Sequence, residues 1–385
     1  MRSGPDIVVY GATGLTGRRA CAELEAAGTA FAIAGRNADK LAALGAEFPA
    51  AAVRVATIDD PAALARTFGD ATVVLNCAGP AGATNEPVLA AAIAAGAHYV
   101  DLGGDQAFLH GAYELYESAA RRAGRVAIVG AGVDCVLGDW AAAWAAAYVC
   151  GAAGVDGDAE VDVVRTGPLE RLAEDRPLDD IAVSYVFDNL VLSPAGQRAA
   201  FAGLHARGLV WHRDRWDSVA PAAEKRRINA GLALGGERDV VSFPGGDTIT
   251  IPRHIAAQHV QTFASTSRRS STMAALRLLA RAVPFVPKRA TDLLAAYEPR
   301  EDEYARTTFA VIAQARRGFS AAQVGVRGHD LYRSAAIIAA WIARQLVARS
   351  TGPVGMRAPS ELFRPEPALR EVAEAAGLVV EPSFA

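Results

Sequence analysis

An α/β fold is predicted: a doubly wound parallel sheet followed by an α+β region on a mostly antiparallel sheet. Three observations predict it. Strand-like and helix-like runs alternate through the first 135 residues, as βα units do. The strand runs are nearly continuous apolar stretches, Val73-Val74-Leu75 and Val126-Ala127-Ile128-Val129, as strands buried on both faces should be. The first strand feeds directly into a glycine-rich turn, Gly11-Ala12-Thr13-Gly14-Leu15-Thr16-Gly17, followed by an amphipathic segment.

Taken in order, strands are expected at 6–10, 30–34, 53–57, 72–77, 98–102 and 125–130. Helices are expected at 15–27, 37–44, 61–68, 85–95 and 105–123. Asp60-Pro61 supplies an N-cap and a first-turn proline for the third helix. Beyond about 136 a core helix runs to Cys150. Strands follow at 160–166, 181–187, 208–212, 238–243, 247–252 and 258–264, with Gly245-Gly246-Asp247 as a hairpin turn. Residues 212–237 read as a loop or short helix whose arginines are solvated or form a basic patch. Two helices are expected over 270–297, a strand at 304–315, and helices at 330–347 and 360–377.

Composition narrows the function classes. The 385 residues are 51% hydrophobic with a net charge of −3, enough for two domains and a large core. No basic stripe points to nucleic acid. The four cysteines are dispersed and fit no metal spacing, which suits a reducing cytoplasm. No stretch reads as a membrane span or a leader, so a cytoplasmic location is expected. No Tyr-x-x-x-Lys relay, zinc spacing or Gly-x-Ser-x-Gly elbow occurs.

Strand, glycine turn and helix together form a dinucleotide pyrophosphate site. Gly11 permits the tight turn, Gly14 lets phosphate approach the backbone, and Gly17 lets the helix pack on the strand. A plain βα turn without nucleotide is the alternative. The second strand ends in Arg36 and Asn37, where an acidic residue would select NAD. Arg36 offers a planar cation to a 2′-phosphate instead, so NADP(H) is the expected cofactor. A surface arginine near a helix cap is the competing reading. The turn Cys77-Ala78-Gly79-Pro80 ends the fourth strand and should line the nicotinamide half. Cys77 reads as a small strand-end residue rather than a nucleophile.

Tyr99 and Asp101 share one face of the fifth strand and are candidate proton donors, with His254 a third. Asp134, Cys135 and Arg253 are candidate substrate contacts. The structural alternatives are capping and turn bonding for Asp101 and Asp134, and a satisfied pair for Arg253 and His254.

These segments resemble the saccharopine dehydrogenase-like NADP-binding family, which includes bacterial trans-acting enoyl reductases. The carrying stretches are 11–17, 34–37, 74–80, 96–104 and 132–139, with Phe-Pro-Gly-Gly-Asp at 243–247, Ile-Pro-Arg-His at 251–254 and Ala-Pro-Ser-Glu-Leu-Phe at 358–363. The resemblance implies a Rossmann-type domain, 1–135 plus about 325–385, interrupted by an inserted α+β substrate or dimerisation domain, 136–324. It implies Gly11 to Thr16 on the pyrophosphate, and Arg36 with Asn37 on the 2′-phosphate. Asp59 would lie near adenine and Cys77 to Pro80 near the nicotinamide ribose. The expected activity is NADPH-dependent reduction of a C=C or C=N bond, less favourably C=O, in a small-molecule or carrier-linked biosynthetic intermediate, with a homodimer as the expected assembly. An NADP-sensing or scaffold protein and a synthase with internal redox cycling are the alternatives.

Overall fold

The computed structural model describes residues 4–384 except 152–162, 166–169, 232–235, 268, 270–272, 275–276 and 279–296. The strand expected at 160–166 and the helices expected over 270–297 fall mainly outside the described residues. The chain divides into two compact units. One comprises 1–132, 164–168 and 332–357; the other comprises 133–163, 169–331 and 358–385.

The first unit is built on seven parallel strands. These are β1 (Ile7–Tyr10), β2 (Phe31–Gly35), β3 (Ala52–Val55), β4 (Val73–Asn76), β5 (His98–Asp101), β6 (Val126–Ile128) and β15 (Gly355–Met356), ordered β15-β6-β5-β4-β1-β2-β3. All but β3 are buried along their whole length, which is why their sequences are apolar without alternation. β3 is the edge, with Val53 and Val55 exposed. The register sets Tyr10 beside both Ala34 and Asn76, and Asn76 beside Asp101. The carboxyl ends of the central strands are therefore level. The chain order reverses between β1 and β4, and ligands of open α/β sheets bind at such a point.

The connecting helices are α1 (Leu15–Ala26), α2 (Ala38–Glu47), α3 (Pro61–Phe68), α4 (Ala81–Ala94) and α5 (Gln106–Arg122). Side chains cap three of them: Asn37, Asp60 and Asp105 accept from Lys40 N, Ala63 N and Phe108 N. α4 begins four residues before the expected start. The Thr84 hydroxyl lies 3.0 Å from Pro80 O and holds that early turn.

The second unit carries a nine-stranded sheet. Its strands are β7 (Asp180–Asp188), β8 (Gly208–His212), β9 (Arg215–Val219), β10 (Lys225–Asn229), β11 (Glu237–Ser242), β12 (His259–Ser265), β13 (Thr308–Arg317), β14 (Ser320–His329) and β16 (Val379–Phe384). The main path runs β10-β11-β12-β7-β13-β14-β16, and β8 joins β12 to β9. Every pairing is antiparallel except β12 with β7. Helix α6 (Gly138–Val149) is buried over most of its surface, as a helix apolar on all sides must be. Among the described residues no helix is long and apolar enough to cross a membrane.

Four local expectations are corrected. Residues 247–252 form no strand, and Gly245-Gly246-Asp247 makes no hairpin. They enter helix α8 (Asp247–His254), in which Thr248, Ile249, Thr250 and Ile251 are all buried, so the apparent alternation marks no solvent face. Residues 212–237 contain β9 and β10 rather than a loop. Arg213 and Asp214, both at positive φ, turn the chain between β8 and β9. The basic residues of β10 face acids: Lys225–Asp239 at 2.8 Å, Arg226–Asp180 at 3.1 Å and Arg227–Asp239 at 3.3 Å. The helix expected at 360–377 is two, Pro359–Leu362 and Pro365–Ala376, because the residue before a proline is pushed out of helical geometry. The return to the first unit spans 332–357, while residues 358–384 belong to the second, where β16 extends its sheet.

Candidate functional site

In the first unit the loop after β1 is made by close backbone approach. Gly11 has φ +76°, and its N–H donates to Ala34 O at 2.9 Å. A Cβ there would lie 2.5 Å from Ala78 N, so a side chain would collide with the turn after β4. A Cβ on Gly17 would lie 2.4 Å from Gly11 O, which only glycine avoids. Gly14 N donates back to Gly11 O at 3.0 Å and closes the turn. Ala12 is buried, Thr13 and Gly14 are exposed, and Leu15 and Thr16 are half-buried. No side chain caps α1 at Gly14, which leaves the positive end of the helix open to an anion. This cradle fits a pyrophosphate.

Arg36 is exposed at the end of β2, and among the described residues no carboxylate pairs with it. Asn37 is committed through Oδ1 to capping α2, so its capping role and a phosphate contact would use different atoms. Tyr10 donates its hydroxyl to Ala56 O at 3.1 Å. Burial raises its pKa; the Arg36 charge opposes that and the Asp59 charge adds to it.

The turn 77–80 is pinned by Asn76, whose Oδ1 accepts from Ala78 N at 3.0 Å. Burial pushes the Cys77 thiol well above its ordinary range, which disfavours the thiolate.

Tyr99 and Asp101 are buried completely and bonded to each other, Tyr99 hydroxyl to Asp101 Oδ2 at 2.9 Å. Asn76 Nδ2 donates to Tyr99 at 3.0 Å and to Asn85 Oδ1 at 3.1 Å. Asp101 Oδ1 accepts from Gly103 N and Gly130 N, both at 2.9 Å. The network ties the ends of β4, β5 and β6 together, and this occupies both side chains. Asn76 and Asn85 escaped sequence reasoning because a buried asparagine has no pattern of its own.

Burial raises the Asp101 pKa to about 6, against the hydrogen bonds from Gly130, Gly103, Tyr99 and Asn85 that favour the anion. A raised carboxyl stabilises the fold below its unfolded pKa, and that contribution is lost as pH climbs towards 6. About two units correspond to about 3 kcal/mol. Asp101→Asn should therefore gain about that much relative to wild type between pH 4 and pH 7.5 in urea unfolding. A pH-independent difference would refute this account.

In the second unit a π-helical turn, Val133–Leu137, leads into α6. Asp134 on it is half-buried and its pKa is raised to about 6 by burial. Cys135 is fully buried and offers no thiol to a substrate. His254 Nε2 meets Asp139 Oδ2 at 2.8 Å, and Ser360 N donates to Asp139 Oδ1 at 2.9 Å. Burial would raise Asp139, but the His254 charge and the donors around it hold the carboxyl below its usual range. Arg253 pairs with Glu361 at 3.1 Å, and Glu361 also accepts from Ala358 N. Both candidates in this motif are thus held by acids. Tyr185 donates to Asp247 Oδ2 at 2.7 Å, and burial keeps Asp247 protonated well above the carboxylate range. Sequence reasoning missed Asp139, Tyr185, Asp247, Ser360 and Glu361 as site residues. The only signals were Asp139 inside the 132–139 motif and the Pro-Ser-Glu of 359–361.

The sequence profile of the saccharopine dehydrogenase NADP-binding domain matches residues 7–128. A lipid droplet localized protein of Caenorhabditis elegans is 33% identical over 146 residues, 35% of this chain and 34% of that protein. A trans-acting enoyl reductase of Mycobacterium bovis is 32% identical over 143 residues, again 35% and 34%. The match thus spans about a third of the length of these curated relatives. Saccharopine dehydrogenase (L-Glu forming) of Saccharomyces cerevisiae shares the fold over 99% of this chain and 100% of its own, with a TM-score of 0.62 at 12% identity. Residues 7–128 are thus similar to the saccharopine dehydrogenase NADP-binding domain, and the chain shares the fold of saccharopine dehydrogenase.

Proposed function

We propose that the chain is an NADPH-dependent reductase of a C=C or C=N bond, with C=O the less favoured alternative, in a small-molecule or carrier-linked intermediate. The observation that carries this is the uncapped glycine cradle together with an exposed Arg36 at the end of the neighbouring strand, paired with no carboxylate among the described residues. Gly11 to Thr16 would hold the pyrophosphate, Arg36 and Asn37 the 2′-phosphate, and Asp59 the adenine side. Cys77 to Pro80 would line the nicotinamide ribose. NADPH, when bound, supplies the hydride. The chain must bind and orient it, exclude water, and provide a proton. Asp134, half-buried in the second unit, stays a substrate-contact candidate. Tyr99, Asp101 and His254 are held in buried bonds and serve this reading by positioning the strand ends and α6.

The enoyl reductase relatives favour C=C. The lipid droplet relative argues for lipophilic substrates in the assay and for testing location directly, with cytoplasm the proposed compartment. Stopped-flow oxidation of NADPH by the purified chain against enones, cyclic imines and keto acids is the test. Turnover of one class is expected. Absence of NADP(H) binding overturns the proposal. Tight binding without hydride transfer favours the sensing or scaffold alternative, and oxidation of retained cofactor without net turnover favours the internal-redox synthase.

A further inference from the structure

In the second unit two histidines face each other across paired strands. The register of β8 and β12 sets His212 opposite His259. Their Nδ1 atoms are 3.0 Å apart, and the rings stand 4.5 Å apart at 61°. One Nδ1 donates and the other accepts, so a single proton is shared between two imidazole nitrogens. Both side chains are half-buried and reachable from solvent.

The backbone beneath the pair is rigid. β8 is bonded on both sides, to β12 and to β9. Trp211 anchors it by donating to Ala257 O at 3.0 Å and packs edge-on to Trp216 at 4.8 Å. Arg213 N donates to Gln258 O at 2.8 Å, which fixes the turn directly beyond His212.

From this geometry we infer that His212 and His259 form a chelating site for a borderline divalent transition ion, Cu²⁺ or Zn²⁺, through their two Nδ1 atoms. Metal–imidazole bonds are about 2.0–2.1 Å. Two such bonds at a right angle place the nitrogens about 2.8 Å apart, and at the tetrahedral angle about 3.3 Å. The 3.0 Å separation lies between these bites; as the rings turn, the ion takes the place of the shared proton, which moves to Nε2 of its own ring. Among the described residues no group of three or more His, Cys, Asp or Glu side chains gathers, so the site has two protein ligands and water completes the shell. The local charges moderate affinity without abolishing it. Arg215 is paired with Asp217 at 3.2 Å, and Asp214 lies 3.9 Å from Arg171.

The test is titration of metal-free full-length protein with Cu²⁺, followed by calorimetry and electron paramagnetic resonance, beside His212→Asn and His259→Asn. One equivalent bound with two nitrogen donors is expected in wild type. Each variant should bind at least about tenfold more weakly, since even outer-shell changes cost 10–100-fold. Unchanged binding in either folded variant, or no stoichiometric binding in wild type, overturns the site. Should a variant lose its fold by circular dichroism, the wild-type spectrum decides alone: two nitrogen donors support the site, and one or none refutes it.

Discussion

Arg36→Ala is expected to weaken NADPH binding about 10- to 100-fold while leaving NADH within about twofold. A hydrogen bond to a charged group contributes about 1.5–3 kcal/mol, and a guanidinium meeting a phosphate dianion makes more than one. Arg36 stands exposed at the end of β2 with no carboxylate to share it among the described residues, so its charge is available. NADH carries a hydroxyl at that position and gains nothing from the guanidinium. Arg36→Lys should recover part of the loss, because a point charge attracts phosphate without the planar fork. Fluorescence titration with both cofactors measures this. Equal losses for NADPH and NADH would show that Arg36 acts on the fold rather than on the 2′-phosphate.

Asp139→Ala is expected to destabilise the second unit by about 3–5 kcal/mol, the usual cost of removing one partner of a buried ion pair. Asp139 is fully buried, and its loss strands His254, which is 9% exposed, together with the Ser360 N–H. The carboxyl is held below its usual pKa, so its stabilisation is present above the unfolded carboxylate range and is lost as pH falls through the lower folded value. The difference between wild type and Asp139→Ala should shrink under acid for that reason. Urea unfolding at neutral pH and near pH 3 checks both statements. A neutral-pH difference below about 1 kcal/mol would mean that the network relaxes around the missing carboxylate.

Sequence legibility followed the range of the interactions involved. β1, the glycine loop and α1 could be read in full, because a strand, a tight turn and a helix start are dictated by neighbours within a few positions. α3 was legible to the residue for the same reason, through Asp60 and Pro61. Helix α8 was misread because Thr248 to Ile251 alternate like a strand. Burial on every side, not amphipathic exposure, selected the helix. β14 was missed because its Ala and Gly content hides the alternation that its pairing with β13 imposes.

The functional residues divide in the same way. By itself the sequence determined a glycine-rich turn between a buried strand and a helix, with a cation at the end of the second strand. These are short-range properties of residues 7–37. Only the tertiary structure decided which partners the candidate side chains meet. Tyr99, Asp101, Arg253 and His254 look reactive in the sequence, yet each is held by buried or half-buried partners. His254 meets Asp139 across 115 residues and Arg253 meets Glu361 across 108. A buried charge must find a partner wherever the fold places one, and that partner's position in the chain leaves no local trace.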